Sequence, residues 1–297
     1  TRALASIRMS AVAVGAAEDG SEGIYMHAEG FLGGRHSANE FGFMQTEVSR
    51  ERPVDYAILA QLLGEEKRRG GKILWVVGPA LVHARARQDM IWFIENGYAN
   101  VLLGGNAVAV HDLEAAIFGT TLGMSSSGEG VEGGHALHMR AINAIRRAGS
   151  IVAAVEQGLV TEGIMHALVT HKVPFVLAGS IRDDGPLPEV VTDTRAAQDA
   201  MRAYTTQATF AIFVATALHA IAVGNMLPAF VDGPTVDDLR PLTTICVDQT
   251  EFVVTKLKDR GTHQAYGVVT NAQDFMHVLR FYVERWEQAQ TPAPAVR

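Results

Sequence analysis

Beyond about residue 50 the chain alternates two hydrophobic patterns: apolar positions spaced for one face of a helix, and short unbroken apolar runs that close in glycine. The stripe Tyr56, Leu59, Ala60, Leu62 and Leu63 predicts a helix that runs into the mixed charges of 65–69 and stops at Gly70-Gly71. The apolar run 72–79 then closes at Gly78-Pro79, the pattern of a parallel strand buried on both faces. A helix over 84–96 ends at Gly97, and a second strand over 100–106 ends in Gly104-Gly105. The same reasoning predicts strands over 174–179, 243–248 and 267–269, and helices over 141–148, 151–157, 164–171, 196–222 and 253–259. Strands alternating with helices over this length specify an α/β fold, a doubly wound and mostly parallel sheet. Right-handed crossovers bring strand ends to one edge, so Gly78, Asn106, Ser180 and Asp248 are expected to converge on a cleft.

Residues 1–50 are rich in Gly, Ser and charge and read as an arm with short strands; 51–288 form the α/β domain, and 289–297 a flexible tail. Hydrophobic residues at 48% and charged residues at 19% describe a well-buried, enzyme-like chain. The net charge of −7 and the absence of a basic stripe argue against nucleic acid as a partner. No apolar stretch approaches the roughly 20 residues that span a bilayer, so no membrane association is expected. A single cysteine, Cys246, excludes an intrachain disulfide and fits a reducing, cytoplasmic setting.

The stretch from Phe175 to Pro188 concentrates the candidate chemistry. Its strand ends at Gly179-Ser180-Ile181 and delivers Arg182, Asp183 and Asp184 ahead of Gly185, Pro186 and Pro188. Ligands of a parallel sheet sit outside the carboxyl ends of its strands, and the flanking glycine and prolines hold the charges there at modest entropic cost. A solvated surface loop is the alternative reading of the triplet. Asp248 ends another strand, where an acidic residue commonly takes the ribose hydroxyls of a dinucleotide. The Gly-x-Gly-x-x-Gly fingerprint is absent. A nucleotide would therefore be held by several loops, Gly78-Pro79, Gly104 to Ala107, Gly179 to Ile181 and Gly224-Asn225-Met226, whose backbone N–H groups can cradle a pyrophosphate.

Asp112 reads either as a cap of the following helix or as a contact to nicotinamide or ribose. His135 and His138 have an i, i+3 spacing that can hold a metal on a helix, with His111 and Cys246 as further candidates, but no third ligand has fixed spacing and no metal is assigned. Proton transfer, or a contact to substrate or phosphate, is the competing role for His135 or His138. Cys246 lies in an apolar strand and reads as an inert buried thiol.

Taken in order, Gly105 to Glu114, Phe118 to Gly123, Gly179 to Pro188 and Ala222 to Pro228 resemble the archaeal and cyanobacterial ornithine cyclodeaminases of the LOR/SDH bifunctional enzyme family, over about residues 40–285. That family usually carries an additional N-terminal domain, in whose place this sequence has a short arm; the chain is either trimmed or a compact branch. The resemblance implies a Rossmann-like sheet similar to that of deoxyhypusine synthase, with NAD as cofactor and ornithine converted to proline and ammonia. It also implies an amino-acid substrate and a homo-oligomer. On this basis Arg182 clamps the substrate carboxylate, Asp183 or Asp184 meets the amino groups, and His135 is a further catalytic candidate. The cofactor set is Gly78, Pro79, Asn106, Ala107, Asp112, Gly179, Ser180, Ile181, Asn225, Met226 and Asp248. An NAD(P)-dependent amino-acid dehydrogenase or imine reductase, and a non-catalytic NAD-binding regulatory module, are the alternatives.

Overall fold

The computed structural model describes residues 12–16, 22–26, 54–83, 85–125, 129–183, 185–231, 239–259 and 264–290. The rest of the expected arm and tail, and Asp184, lie outside the described residues, as does the side chain of His135. Two compact units are present, one of Thr1–Val54 with Phe230–Pro241 and one of Asp55–Ala229 with Leu242–Arg297. In the first, β1 (Val12–Ala16) pairs antiparallel with β2 (Glu22–Met26). The same unit holds the short antiparallel pair of β10 (Phe230–Val231) and β11 (Arg240–Pro241).

The second unit is built on a seven-stranded, wholly parallel sheet. Its strands are β3 (Ile73–Val77), β4 (Val101–Gly105), β7 (Phe175–Ala178), β8 (Val190–Val191), β9 (Phe210–Val214), β12 (Thr243–Asp248) and β13 (Gln264–Val269). They lie in the order β13-β12-β9-β3-β4-β7-β8. Every residue of β3 and β9 is buried, which explains why such strands read as unbroken apolar runs. Each fully buried Leu, Ile, Val or Phe contributes roughly 1.5–3 kcal/mol through burial. The one polar group of β3, the Trp75 indole N–H, donates to the Tyr98 carbonyl at 2.9 Å.

Helices flank the sheet: α1 (Tyr56–Arg68), α2 (Ala80–His83), α3 (Arg87–Glu95), α4 (Asn106–Phe118), α5 (Gly134–Ala148), α6 (Ile151–Glu156), α7 (Ile164–Thr170), α8 (Thr194–Thr205), α9 (Ala217–Gly224), α10 (Glu251–Asp259) and α11 (Ala272–Gln290). A small antiparallel pair, β5 (Thr120–Thr121) and β6 (Met124–Ser125), follows α4. None of the helices among the described residues is long and apolar enough to cross a membrane.

The doubly wound parallel expectation is borne out, with one correction at its centre. Residues 196–222 are not one helix but α8, β9 and α9 in succession. Phe210-Ala-Ile-Phe-Val satisfies helical and strand patterns alike, and an apolar run of this length cannot be told apart by periodicity. The strand so hidden pairs directly with β3. The chain winds outward from β3 through β4, β7 and β8, then returns to β9 on the other side of β3 and winds out through β12 and β13. The order therefore reverses between β3 and β9, and such a reversal leaves a crevice at the carboxyl ends of the strands.

Candidate functional site

At that reversal β3 and β9 approach so closely that only glycine fits at position 78: a Cβ there would lie 2.0 Å from the Ala215 carbonyl oxygen. The Gly78 N–H donates to the Val214 carbonyl at 3.0 Å, and Ala215 takes a left-handed conformation with φ of 54° to turn the chain into α9. A non-glycine residue held there costs of order 1–3 kcal/mol, the kind of local strain that clusters at functional sites.

Beyond these turns lies a cleft of about 410 Å³, walled by the ends of β3, β4, β7 and β9. Two helices begin at its wall. The last residue of β4, Gly105, is also the N-cap of α4, and no side chain caps the first turn of that helix; the same holds for α9 behind Thr216. Asn106, Ala107 and Val108 on one side, and Ala217 and Leu218 on the other, line the cleft. Unsatisfied backbone N–H groups and the positive ends of two helix dipoles thus face one space, the arrangement that receives phosphate.

The loop after β7 closes the third side. Asp183 turns back on the strand end, its Oδ2 accepting from the Ser180 N–H at 2.8 Å, while the Ser180 carbonyl accepts from the Asp183 N–H at 3.1 Å. Ser180, Arg182 and Asp183 line the cleft, and the exposed Arg182 guanidinium has no acidic partner among the described residues. The loop is anchored from two directions. Buried Asn106 accepts from the Leu187 N–H at 3.0 Å, and Arg146 of α5 donates to the Pro186 carbonyl at 3.2 and 2.9 Å.

His219, on the first turn of α9, completes the wall. Its Nδ1 lies 3.4 Å from the Thr216 hydroxyl, and its ring fills the space above Gly105, where a Cβ would come within 2.7 Å of it. Burial lowers its pKa below the ordinary value; Asp183 pulls the other way and Arg182 reinforces the burial. At neutral pH the imidazole is uncharged and able to accept a proton. Sequence reasoning missed His219 and Thr216 because both lay inside the supposed 196–222 helix.

Of the sequence-derived residues, the structure brings Pro79, Asn106, Ala107, Ser180, Arg182 and Asp183 together on this cleft, with Gly78 packed behind it. Gly179 packs on Thr192, and Ile181 projects into solvent. Asp248 accepts from the Thr250 N–H and hydroxyl, both at 3.0 Å, and shapes the turn into α10 without lining the cleft. Asn225 and Met226 end α9 rather than a longer helix; they stand roughly 12 Å along the axis from its cleft-facing start.

Asp112 is corrected in position. It lies within α4, not ahead of the next helix, and is fully buried. Its oxygens accept from Arg87 Nε at 2.6 Å and from the N–H groups of Ile164 and Met165 at 2.9 and 2.7 Å, so it caps α7, far along the chain. Asp112 is not among the residues that line the cleft. His138 does meet His111, as one histidine reading allowed, but the third residue beside them is Glu114 and not Cys246. Burial alone would raise the Glu114 carboxyl; contacts from His111, His138, the Gly123 N–H and the Thr120 hydroxyl outweigh it and hold the group well below the usual carboxylate range. Nearby His83 is pushed down to about 4, chiefly by burial and then by His111.

The family model for "Arginine dihydrolase ArgZ-like, C-terminal, Rossmann fold" matches residues 57–279. Ornithine cyclodeaminase of Methanopyrus kandleri is 51% identical over 242 residues, covering 80% of this chain and 56% of that protein. The bifunctional arginine dihydrolase/ornithine cyclodeaminase ArgZ of Synechocystis is 40% identical over 266 residues, covering 88% of this chain and 36% of that one. Among solved structures, a LOR/SDH protein from Methanococcus maripaludis S2 aligns with a TM-score of 0.73 at 42% identity, over 81% of this chain and 73% of that chain. The ternary complex of AgrE with ornithine and NAD+ aligns with a TM-score of 0.72 at 39% identity, over 79% of this chain and 33% of that chain. The chain spans 56–59% of the length of the archaeal relatives it matches first. The parallel sheet, the span of the match and the level of identity agree, and the chain belongs to the family of ArgZ-like arginine dihydrolase C-terminal domains with a Rossmann fold.

Proposed function

We propose that the cleft between β3, β4, β7 and β9 binds NAD and ornithine, and that the chain is an ornithine cyclodeaminase releasing proline and ammonia. The observation that carries this reading is the meeting of two uncapped helix starts with Arg182, which has no acidic partner among the described residues, at the reversal of strand order. The names and complexes of the relatives point the same way. The fit to a dinucleotide rests on this chain's own backbone. Asn106 and Ala107 at the start of α4 and Ala217 and Leu218 at the start of α9 line the cleft, and the first N–H groups of these two helices can hold a pyrophosphate. NAD, when bound, supplies hydride acceptance and return, so no net redox change accompanies turnover.

The side chains would bind and orient the amino acid. Arg182 offers the planar fork that grips a carboxylate in bidentate fashion. Asp183, with one oxygen committed to Ser180, presents the other to an ammonium group. Neutral His219 can take the proton that an ammonium must lose before its nitrogen carries a lone pair. Asp184 shares this loop and remains a candidate for the second amino group. A reducing cytosol and self-association go with the same reading; the supports are the single buried thiol and the exposed apolar side chains of Ile181 and Leu218.

The test is product analysis with the full chain. Ornithine and catalytic NAD should yield proline and ammonia in equal amounts with no lasting change in nicotinamide absorbance. Arg182→Ala should abolish turnover while still binding NAD. A steady absorbance change would establish a dehydrogenase instead, and NAD binding without any product would establish a regulatory module.

A further inference from the structure

A second cavity, of about 670 Å³, shares no lining residue with the cleft. His83 lines it, and the His83 ring meets His111 edge-on with centroids 4.3 Å apart. Behind that contact stand Glu114, buried within α4, and His138 from α5. His138 Nδ1 lies 3.3 Å from Glu114 Oε2 and His111 Nδ1 lies 3.8 Å from the same oxygen. One ligand atom from each of the three residues falls within 4.8 Å of the others.

We propose that His111, Glu114 and His138 form a binding site for a divalent transition-metal ion of the zinc class. Two features favour this over a purely structural polar cluster. First, His111 is nine-tenths buried and its Nδ1 has no hydrogen-bond partner among the described residues. The 3.8 Å to Glu114 exceeds hydrogen-bond reach, and a buried polar atom left so is unfavourable. An ion between the three side chains satisfies that nitrogen. Second, the carboxylate is already oriented as a ligand. Glu114 Oε1 accepts from the Thr120 hydroxyl at 2.9 Å and the Gly123 N–H at 3.0 Å, and Oε2 accepts from the Leu122 N–H at 3.1 Å. Outer partners of this kind fix a metal-bound carboxylate in place and leave its other lone pair toward the ion.

The spacing fits as well. Ligand atoms about 2.0–2.2 Å from a tetrahedral zinc lie roughly 3.3–3.6 Å from one another, so a small turn of either ring completes the set. The His₂Glu donor set suits zinc, as it has no thiolate to favour a soft ion and is too rich in nitrogen for magnesium or calcium. Three protein ligands leave a fourth position, for which His83 is the nearest further imidazole and the cavity a source of water. The three ligands come from α4 and α5, so a bound ion would tie these helices together.

The experiment loads the full chain, first stripped with a chelator, with zinc sulfate, removes free ion by gel filtration, and counts zinc by mass spectrometry. A parallel titration with cobalt(II) is followed through its visible absorption bands. Wild type should retain about one zinc per chain, held by the three protein ligands with the fourth position filled from the cavity, and give the intense bands of low-coordinate cobalt. His138→Ala, the least buried of the ligands, should weaken binding by at least about a hundredfold, and Thr120→Val by about tenfold, as loss of an outer partner does. His277→Ala, at an exposed imidazole remote in sequence, should bind as wild type does. Circular dichroism confirms that each variant is folded. Failure of the wild type to retain zinc, or retention undiminished in both His138→Ala and the isosteric Glu114→Gln, overturns the proposal.

Discussion

The Leu187 N–H donates to Asn106 Oδ1 at 3.0 Å, which ties the loop carrying Arg182 to the first turn of α4. Asn106 also donates from Nδ2 to the Gly185 carbonyl at 3.4 Å, so one buried amide holds both strands of the turn. Asn106→Ala leaves the buried Leu187 N–H without a partner and should lower unfolding free energy by about 1–2 kcal/mol. If the amide acts by positioning the loop, KM for ornithine should rise by roughly tenfold, because ångström-scale misplacement is enough to lose affinity and rate. Arg146→Ala, which removes the second anchor of the loop from outside the cleft, should raise KM in the same sense. Urea unfolding and steady-state kinetics on the two variants measure both effects; an unchanged KM in Arg146→Ala would reject positioning.

Asp112 connects parts of the chain that no local pattern joins. Its carboxylate accepts three hydrogen bonds, two of them from the start of α7 more than fifty residues away, and pairs with Arg87, whose guanidinium also reaches Glu162. A buried ion pair is weak evidence of net stabilisation, but removing one partner strands the other. Asp112→Asn should therefore cost about 3 kcal/mol by chemical denaturation. A loss below about 1 kcal/mol would mean that the amide replaces the carboxylate as a helix cap.

Cys246 sits in β12, fully buried, and burial pushes its thiol up to about 12, with Lys258 pulling weakly the other way. The thiolate is the reactive form, so at pH 8 the native protein should react with Ellman's reagent on the order of a thousandfold more slowly than the denatured chain. Cys246→Ser should leave turnover unchanged apart from lower stability. Rapid labelling of the native protein would place this thiol within reach of solvent.

Legibility in the sequence followed the physics of each element. β3, β4, β7 and β12 could be read because strands buried on both faces are unbroken apolar runs, and each is followed by a glycine or an aspartate at the sheet edge. The Arg182 loop could be read for the same reason. β9 could not, since five apolar residues between two amphipathic helices satisfy either period, and His219 disappeared with it. The turn residues Thr206 and Gln207, with the aromatic pair Phe210 and Phe213, were the available signal. Asp112 and Glu114 were not readable in their actual roles: each is defined by partners that only the packing of α4 against α5 and α7 brings near.

The His219 environment sets a pH dependence whose sign can be worked out. In the folded chain its pKa lies below the ordinary value of about 6.5. Between the two values the unfolded chain binds a proton that the native chain does not. Stability contributed by this group is therefore intact above pH of about 6.5 and declines as pH falls toward the folded pKa. Protonation would also place a cation beside Arg182, so affinity for the substrate's amino groups should weaken over the same range, while attraction for its carboxylate should not. His219→Gln keeps a polar side chain over Gly105 and removes the titration. Unfolding free energies measured at pH 7.5 and pH 5 should differ by less in this variant than in wild type, and KM should lose part of its rise at acid pH. Equal pH dependence in the two proteins would assign the acid sensitivity to other groups, His83 foremost, whose imidazole is held down to about 4.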